Sequence, residues 1–454
     1  MSAGREAAEA PRARRTLRVI LAVLALTLGA DGWLAQAQDH LDQRPVYNEI
    51  IGTGQSLATG LFANPPVSTV AVWPQAAFMT NLGVRQVTDR GRFNALDPSL
   101  ITALVPLVEA RSPDHDGETI GAGMAYQINE LALEEGQPPW PLVFSVHGVA
   151  GAPYAMLKRG TVPYRNSIDT VKRVAAIVER LGFRDVVRAI TVTHGETDSI
   201  IGTTAAQYES DLAQWRADYE TDIRPITSQR ERVILFTDQM NAYTSKVPGK
   251  HIAPTPAIPL AQLQAALDYP DLIVLVCPKY WLVYNRDGVH LTNRSEELLG
   301  EKYGEAVKRT IVDGMVWKPL YITGAKLDGS TVTLSYNIPS PPLVVDTTLI
   351  RNPGNFGFVY QDDSGAPPAI RAVELTGGAA KLRIRLSAPP TAAAGHRHIQ
   401  YAYAGSFRCS GDCTAGPLSG PRGNLRDSDP LISRLDGGDS IHLYNWAVTQ
   451  DFVF

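Results

Sequence analysis

From Pro45 to Gly314, short apolar runs rich in β-branched residues alternate with stretches of helical period, and that alternation admits few folds. The runs are Val46 to Gly52, Leu142 to Val146, Val186 to Val192, Val233 to Thr237 and Leu272 to Cys277. Between them, Asn166 to Leu181 spaces Ile168, Val171, Val174, Ala175 and Val178 three and four apart, as one face of a helix requires. Ala205 to Tyr219 and Glu296 to Val312 behave alike, and Asn293 followed by Glu296 predicts a capping box on the last helix. Apolar strands separated by helices predict a parallel sheet covered on both faces.

Helical periodicity stops after Met315-Val316-Trp317-Lys318-Pro319. Beyond it, Gly, Pro, Ser and Thr punctuate short alternating runs such as Thr331 to Tyr336 and Lys381 to Leu386, which predict a β-sandwich. A chain of 454 residues has room for two units, so an α/β domain is expected over 45–316 and an accessory β-sandwich over 317–454. Tyr360, Tyr401, Tyr403, Tyr444 and Trp446 in the second unit read either as a carbohydrate-binding face or as core aromatics.

Charge argues against one class of partner. The net charge of −4 and scattered basic residues make no case for nucleic acid. Lys and Arg do gather at the start, where Arg12, Arg14, Arg15 and Arg18 precede the apolar run Val19 to Leu28 and the small residues Ala35-Gln36-Ala37. A basic, then apolar, then small-residue order predicts a signal peptide over 1–37, the alternative being a retained anchor. The apolar run falls short of the about 20 residues of a membrane span. Both readings export the body to the periplasm or the outside. There, Cys409 and Cys413 predict a local disulfide, with a thiol metal pair as the rival, while Cys277 reads as a buried thiol.

Chemistry concentrates just after the apolar runs. Gly52-Thr53-Gly54-Gln55-Ser56 puts a hydroxyl among glycines at a strand's carboxyl end, where open α/β sheets bind ligands. Asp287-Gly288-Val289-His290 puts a carboxylate three positions before an imidazole, near enough to orient a base that activates an alcohol. Thr193-His194-Gly195-Glu196-Thr197-Asp198 brings four hydrogen-bonding side chains and a glycine to the same sheet edge. Ile120-Gly121-Ala122-Gly123 opens a helical stretch, and helix-opening amides make anion donors. His147 reads as a loop or packing residue. The aromatics of Lys279-Tyr280-Trp281 read as sugar-stacking rings or a packed cluster, and Asp114, His115 and Asp116 as a solvated loop. No phosphate loop, dinucleotide fingerprint or zinc spacing is present.

In this order, Gly54-Gln55-Ser56, Ile120 to Gly123, His194 to Asp198 and Asp287 to His290 resemble the four blocks of the SGNH (GDSL-like) hydrolases. The Gly-Gln-Ser and Gly-Glu-x-Asp forms are most similar to the branch of sialate O-acetylesterases and acetyl xylan esterases. The resemblance covers Val46 to Val312. It implies a flavodoxin-like three-layer α/β/α fold, no metal or organic cofactor, and hydrolysis of O-acyl esters, commonly acetyl on carbohydrate. By position it makes Ser56 the nucleophile, His290 its base and Asp287 the orienting acid, with Glu196 second in that acidic role. It implies oxyanion donors at the amides of Ser56 and Gly121. The family's third block supplies an Asn side chain, where this chain has Thr197, so the third donor is Thr197, His194 or neither. Gln55, Tyr280 and Trp281 are the expected substrate contacts. The expected partner is an acylated carbohydrate or another small ester. The rival readings are a lipid or thioester hydrolase with the same triad and a decayed carbohydrate-binding protein.

Overall fold

In β1 (Val46–Gly54) the consecutive residues Ile50 and Ile51 are both fully buried, but in different cores, because successive strand side chains point to opposite faces. The computed structural model in which this is seen describes residues 44–87, 93–110, 116–243, 256–403, 415–433 and 441–454. After β1 come β2 (Ala77–Thr80), β3 (Leu104–Pro106), α1 (Ile120–Glu134), β4 (Leu142–Val146), α2 (Val162–Arg180) and β5 (Arg184–Thr193). Then follow α3 (Glu196–Ile201), α4 (Ala205–Thr227), β6 (Ile234–Gln239), α5 (Ala257–Asp268), β7 (Ile273–Pro278) and α6 (Asn293–Val307).

The seven strands form one sheet in the order β3-β2-β4-β1-β5-β6-β7. All its pairs are parallel except β2 with β3. Leaving aside that edge pair, the strands run 2-1-3-4-5 in chain order, the flavodoxin-like arrangement, whose switch point lies between β1 and β5. Helices α1 and α6 cover the face of Ile50 with Met124, Ile128, Leu299 and Tyr303. Helices α2, α4 and α5 cover the face of Ile51 with Val171, Leu212, Trp215 and Ile258. The three layers are therefore α/β/α.

Helix α6 starts earlier than its periodicity suggests. Thr292 is the cap, its hydroxyl accepting from the Ser295 amide at 3.3 Å, and Glu296 is buried rather than reaching back to Asn293. A wider π turn, Lys308–Val312, follows α6.

Strand β8 (Tyr321–Asp328) begins the second unit, continuing with β9 (Thr331–Asn337), β10 (Val344–Val345), β11 (Phe358–Asp362), β12 (Ile370–Thr376), β13 (Lys381–Leu386), β14 (Arg397–Tyr401), β15 (Leu425–Arg426) and β16 (Gln450–Val453). The antiparallel sheets β12-β13-β9-β8 and β11-β14-β16 enclose Val332, Leu334, Ile384, Phe358 and Ile399 as a β-sandwich. Strand β13 alternates exposed Lys381, Arg383 and Arg385 with buried Leu382, Ile384 and Leu386, which makes its inner face plain.

The five aromatics suggested as a binding face do not share one exposed face. Tyr360, Tyr401 and Trp446 lie in the sandwich core, and the Tyr401 hydroxyl accepts from the Leu425 amide. Tyr403 gives its carbonyl to Tyr243, and Tyr444 stacks on His442 with Arg426 on its ring. The two units share a buried polar seam. The Gln239 side chain exchanges two hydrogen bonds with the Thr449 backbone, and Lys302 of α6 donates to Leu443 O and Asn445 Oδ1.

Among the described residues no helix is long and apolar enough to cross a membrane, and no cluster of His, Cys, Asp and Glu has the makings of a metal site. The leader, Asp114, His115, Cys409 and Cys413 lie outside the described residues. Asp116 is buried and bridges to Leu61, not solvated, and burial pushes the Cys277 thiol up to about 12.

Candidate active site

Ser56 follows β1 at the switch point, in a turn that only Gly54 permits. Gly54 has φ +137°, and a Cβ there would lie 2.1 Å from Thr193 O of the neighbouring strand. The Gln55 amide donates to the same carbonyl at 3.2 Å, so the Ser56 turn is fastened to the end of β5.

His290 comes from the loop between β7 and α6. Its Nε2 lies 2.7 Å from Ser56 Oγ, and its Nδ1 lies 2.6 Å from Asp287 Oδ2. A carboxylate only accepts, so Nδ1 carries the proton and Nε2 accepts from the serine hydroxyl. Partial burial pushes the Asp287 carboxyl up, but the His290 ring and the amides of Val289 and His290 outweigh it and hold the group below its ordinary range. The Phe62 ring meets the imidazole edge-on at 5.0 Å and shields one side of it. An alcohol, an imidazole and a carboxylate in this sequence can activate the alcohol as a nucleophile.

The remaining expected residues fare differently. Gly121 is no oxyanion donor. Its amide is spent on the cap, donating to Thr119 Oγ1 at 3.1 Å, and its missing side chain serves packing, since a Cβ would lie 2.3 Å from the Phe144 ring. His194 is also excluded: it is fully buried, with Nε2 donating to Ala152 O at 3.0 Å and Nδ1 accepting from the Tyr208 hydroxyl at 2.8 Å. Burial lowers its pKa, in keeping with a neutral ring.

Thr197 is half-buried in α3, its amide donating to Gln55 Oε1 at 3.1 Å. Gln55 is itself 3% exposed, a brace between β1 and α3 rather than a substrate contact. Glu196 pairs with Lys279 at 3.2 Å, while both ring nitrogens of His290 are taken by Ser56 and Asp287. Tyr280 is fully buried, its hydroxyl donating to Ala447 O at 2.5 Å, and Trp281 packs between the cores of the two units. The Tyr280 ring is closed to a ligand, and Trp281 is half-buried.

One feature has no counterpart in the expected set. After β4, the amides of His147 and Val149 donate to Gly52 O and Gly54 O, whereas the Gly148 amide between them donates to nothing among the described residues. The Gly148 backbone lies so close to the Ser56 turn that a Cβ would sit 2.8 Å from Gly54 O. The Ser56 amide is likewise uncommitted among the described residues. Only a glycine in a post-strand loop marks Gly148 in the sequence, and Gly121 carries a similar mark. His147 is buried and neutral, burial lowering it to about 3, and its Nε2 lies 3.1 Å from Ser145 Oγ. His147, Gly148, Val149 and Thr59 line a small cavity of about 40 Å³.

A 2-1-3-4-5 sheet sandwiched between helices, with the serine after its first strand and Asp-x-x-His after its last, is an SGNH-hydrolase-like fold. No protein-family model matches the chain, and no curated protein matches its sequence. Among solved structures it is similar to a carbohydrate acetylesterase from Xanthomonas citri, at 14% identity and TM-score 0.49 over 84% of this chain and 81% of that one. It is also similar to a carbohydrate acetylesterase from Sinorhizobium meliloti, at 10% identity and TM-score 0.32 over 57% and 98%. An aryl esterase of M. smegmatis matches at 11% identity and TM-score 0.32 over 59% and 99%.

Proposed function

We propose that the chain is an exported serine esterase that removes short O-acyl groups, acetyl foremost, from carbohydrate. The observation that carries the reading is the chain of hydrogen bonds from Ser56 through His290 to Asp287. Ser56 Oγ attacks the ester carbonyl while His290 Nε2 takes its proton. The tetrahedral oxyanion is held by the amides of Ser56 and Gly148. Its collapse expels the sugar alcohol, which His290 protonates, leaving an acyl-serine. Water, deprotonated by the same imidazole, then releases the acid and restores Ser56.

Carbohydrate as the alcohol rests on the likeness of Gly54-Gln55-Ser56 and Gly195-Glu196-Thr197-Asp198 to the sugar O-acetylesterase branch. The short acyl group, acetyl foremost, rests on the same likeness. The oxyanion site lacks the side-chain amide of the family pattern, since Thr197 stands where the resemblance puts the Asn, and His194 is locked in the interior. A missing donor typically costs ~10²–10³ in turnover, so activated aryl acetates are expected to turn over much faster than acetylated sugars.

The test is acetate release from a panel of acetylated glycans and from p-nitrophenyl acetate, wild type against Ser56→Ala, beside fluorophosphonate labelling. Release and labelling that depend on Ser56 support the esterase. Equal release by both proteins defeats it.

A further inference from the structure

Lys279 stands directly after β7 and is fully buried, and a buried ammonium persists only where its charge is matched. Its Nζ lies 2.7 Å from Asp238 Oδ2 and 3.2 Å from Glu196 Oε1, and all three side chains are at most 3% exposed. Burial disfavours the charged form of Lys279, but Asp238 and Glu196 more than reverse that and keep it charged. None of the three bonds to the Ser56–His290–Asp287 chain, yet each is tied to a segment that supports part of it.

Glu196 opens α3, whose Thr197 amide grips Gln55, the residue before Ser56. Asp238 ends β6 and also accepts the Tyr303 hydroxyl at 2.8 Å, so it holds α6, the helix into which His290 leads. The Lys279 amide donates to Gln239 O at 3.2 Å, and its carbonyl accepts from Leu282 at the start of the loop bearing Asp287 and His290. One ammonium thus joins the mount of the nucleophile to both ends of the mount of the base.

We infer that Lys279 is a positioning residue that sets the separation of Ser56 and His290 by drawing the ends of β5, β6 and β7 together through Glu196 and Asp238. The inference rests on the esterase reading and deepens it. Without the ammonium, two buried carboxylates repel across the gap and the strand ends are free to part. Misplacement of reacting groups by about 1 Å costs on the order of 10²-fold in rate, and a shift of tenths of an ångström correspondingly less.

The test compares wild type, Lys279→Met and the triple variant Glu196→Gln/Asp238→Asn/Lys279→Met with p-nitrophenyl acetate and a fluorophosphonate. The triple variant carries no buried charge at the three positions, and such neutral replacement is often tolerated. Expected for Lys279→Met is a kcat lower by about 10- to 100-fold, KM within about twofold, and serine labelling slowed in parallel. The triple variant is expected to recover thermal stability while kcat stays low. Recovery of wild-type kcat in the triple variant would mean that Lys279 only balances charge, and would overturn the inference. So would a Lys279→Met enzyme with wild-type kcat. Should Lys279→Met not fold, the triple variant decides alone. A wild type that neither labels nor cleaves ester removes the esterase reading as well, whereas an active wild type beside unaffected variants removes this inference only.

Discussion

Asp287 holds His290 at two points: Oδ2 receives the ring Nδ1–H at 2.6 Å, and Oδ1 receives the backbone amide at 3.0 Å. The ring bond selects the tautomer and the amide bond fixes the loop. Asp287→Asn can still accept from the amide, but its NH₂ faces Nδ1 and leaves the proton on Nε2, where the serine needs an acceptor. The variant is expected to lose up to about 10⁴-fold in kcat with little change in Tm. A loss under tenfold would point to another orienting acid, Glu196 being the one to test next.

Gly121→Ala separates packing from catalysis. A Cβ there lies 2.3 Å from the Phe144 ring, so α1 or β4 must give way. Such overpacking costs about 1–3 kcal/mol, read as a lower Tm, while kcat of the folded fraction stays within about twofold. An unchanged Tm with a large loss of kcat would return Gly121 to the oxyanion site.

Glu49 on β1 and Asp185 on β5 lie on paired strands, where Tyr47 opposes Asp185 and Glu49 opposes Val187. Burial raises both carboxyls, Asp185 to about 7, and the charge of Asp185 adds to the rise at Glu49. A carboxyl raised by folding binds its proton more tightly in the native state. The stability it supports is full below the unfolded pKa near 4 and is lost as pH climbs towards 7. Asp185→Asn is therefore expected to gain on wild type by on the order of a few kcal/mol between pH 4 and pH 8, measured by urea unfolding at each pH. A stability difference independent of pH would show that the two groups titrate normally.

Asn241, 1% exposed, donates to Pro421 O at 2.7 Å and accepts the Gly416 amide at 2.9 Å. Gly416 lies against the loop of His290: a Cβ on it would be 3.1 Å from the Tyr284 ring and 3.3 Å from Leu282 O. Asn241→Ala strands two buried partners and is expected to cost about 2–4 kcal/mol. Because the sandwich supports the histidine loop, kcat should fall too, and calorimetry should show one unfolding transition. Two separate transitions with unaltered kcat would mean that the sandwich is an independent attachment.

Whatever depended on period or order along the chain was legible beforehand. Leu142–Val146 was readable to the residue, because a fully buried parallel strand is a bare apolar run. The helix α5 escaped notice because Pro256 and Pro259 look like breakers, although proline is tolerated in a helix's first turn, where its missing N–H has no intrahelical acceptor. The edge strands β2 and β3 are four and three residues long, too short for any periodicity to register.

By itself the sequence determined the alternation of strand and helix, the change of texture after Trp317, and the chain order of Ser56, Asp287 and His290. Tertiary structure alone decided which polar groups remained free to act. Thr119 consumes the amide of Gly121 while that of Gly148 stays unbonded among the described residues, Tyr208 and Ala152 disarm His194, and Tyr280 turns into the sandwich. The physical reason is that each hydrogen-bonding group can be spent only a limited number of times. Which partner spends it is set by residues that meet only on folding, as Ser56 and His290 do across 234 positions of chain.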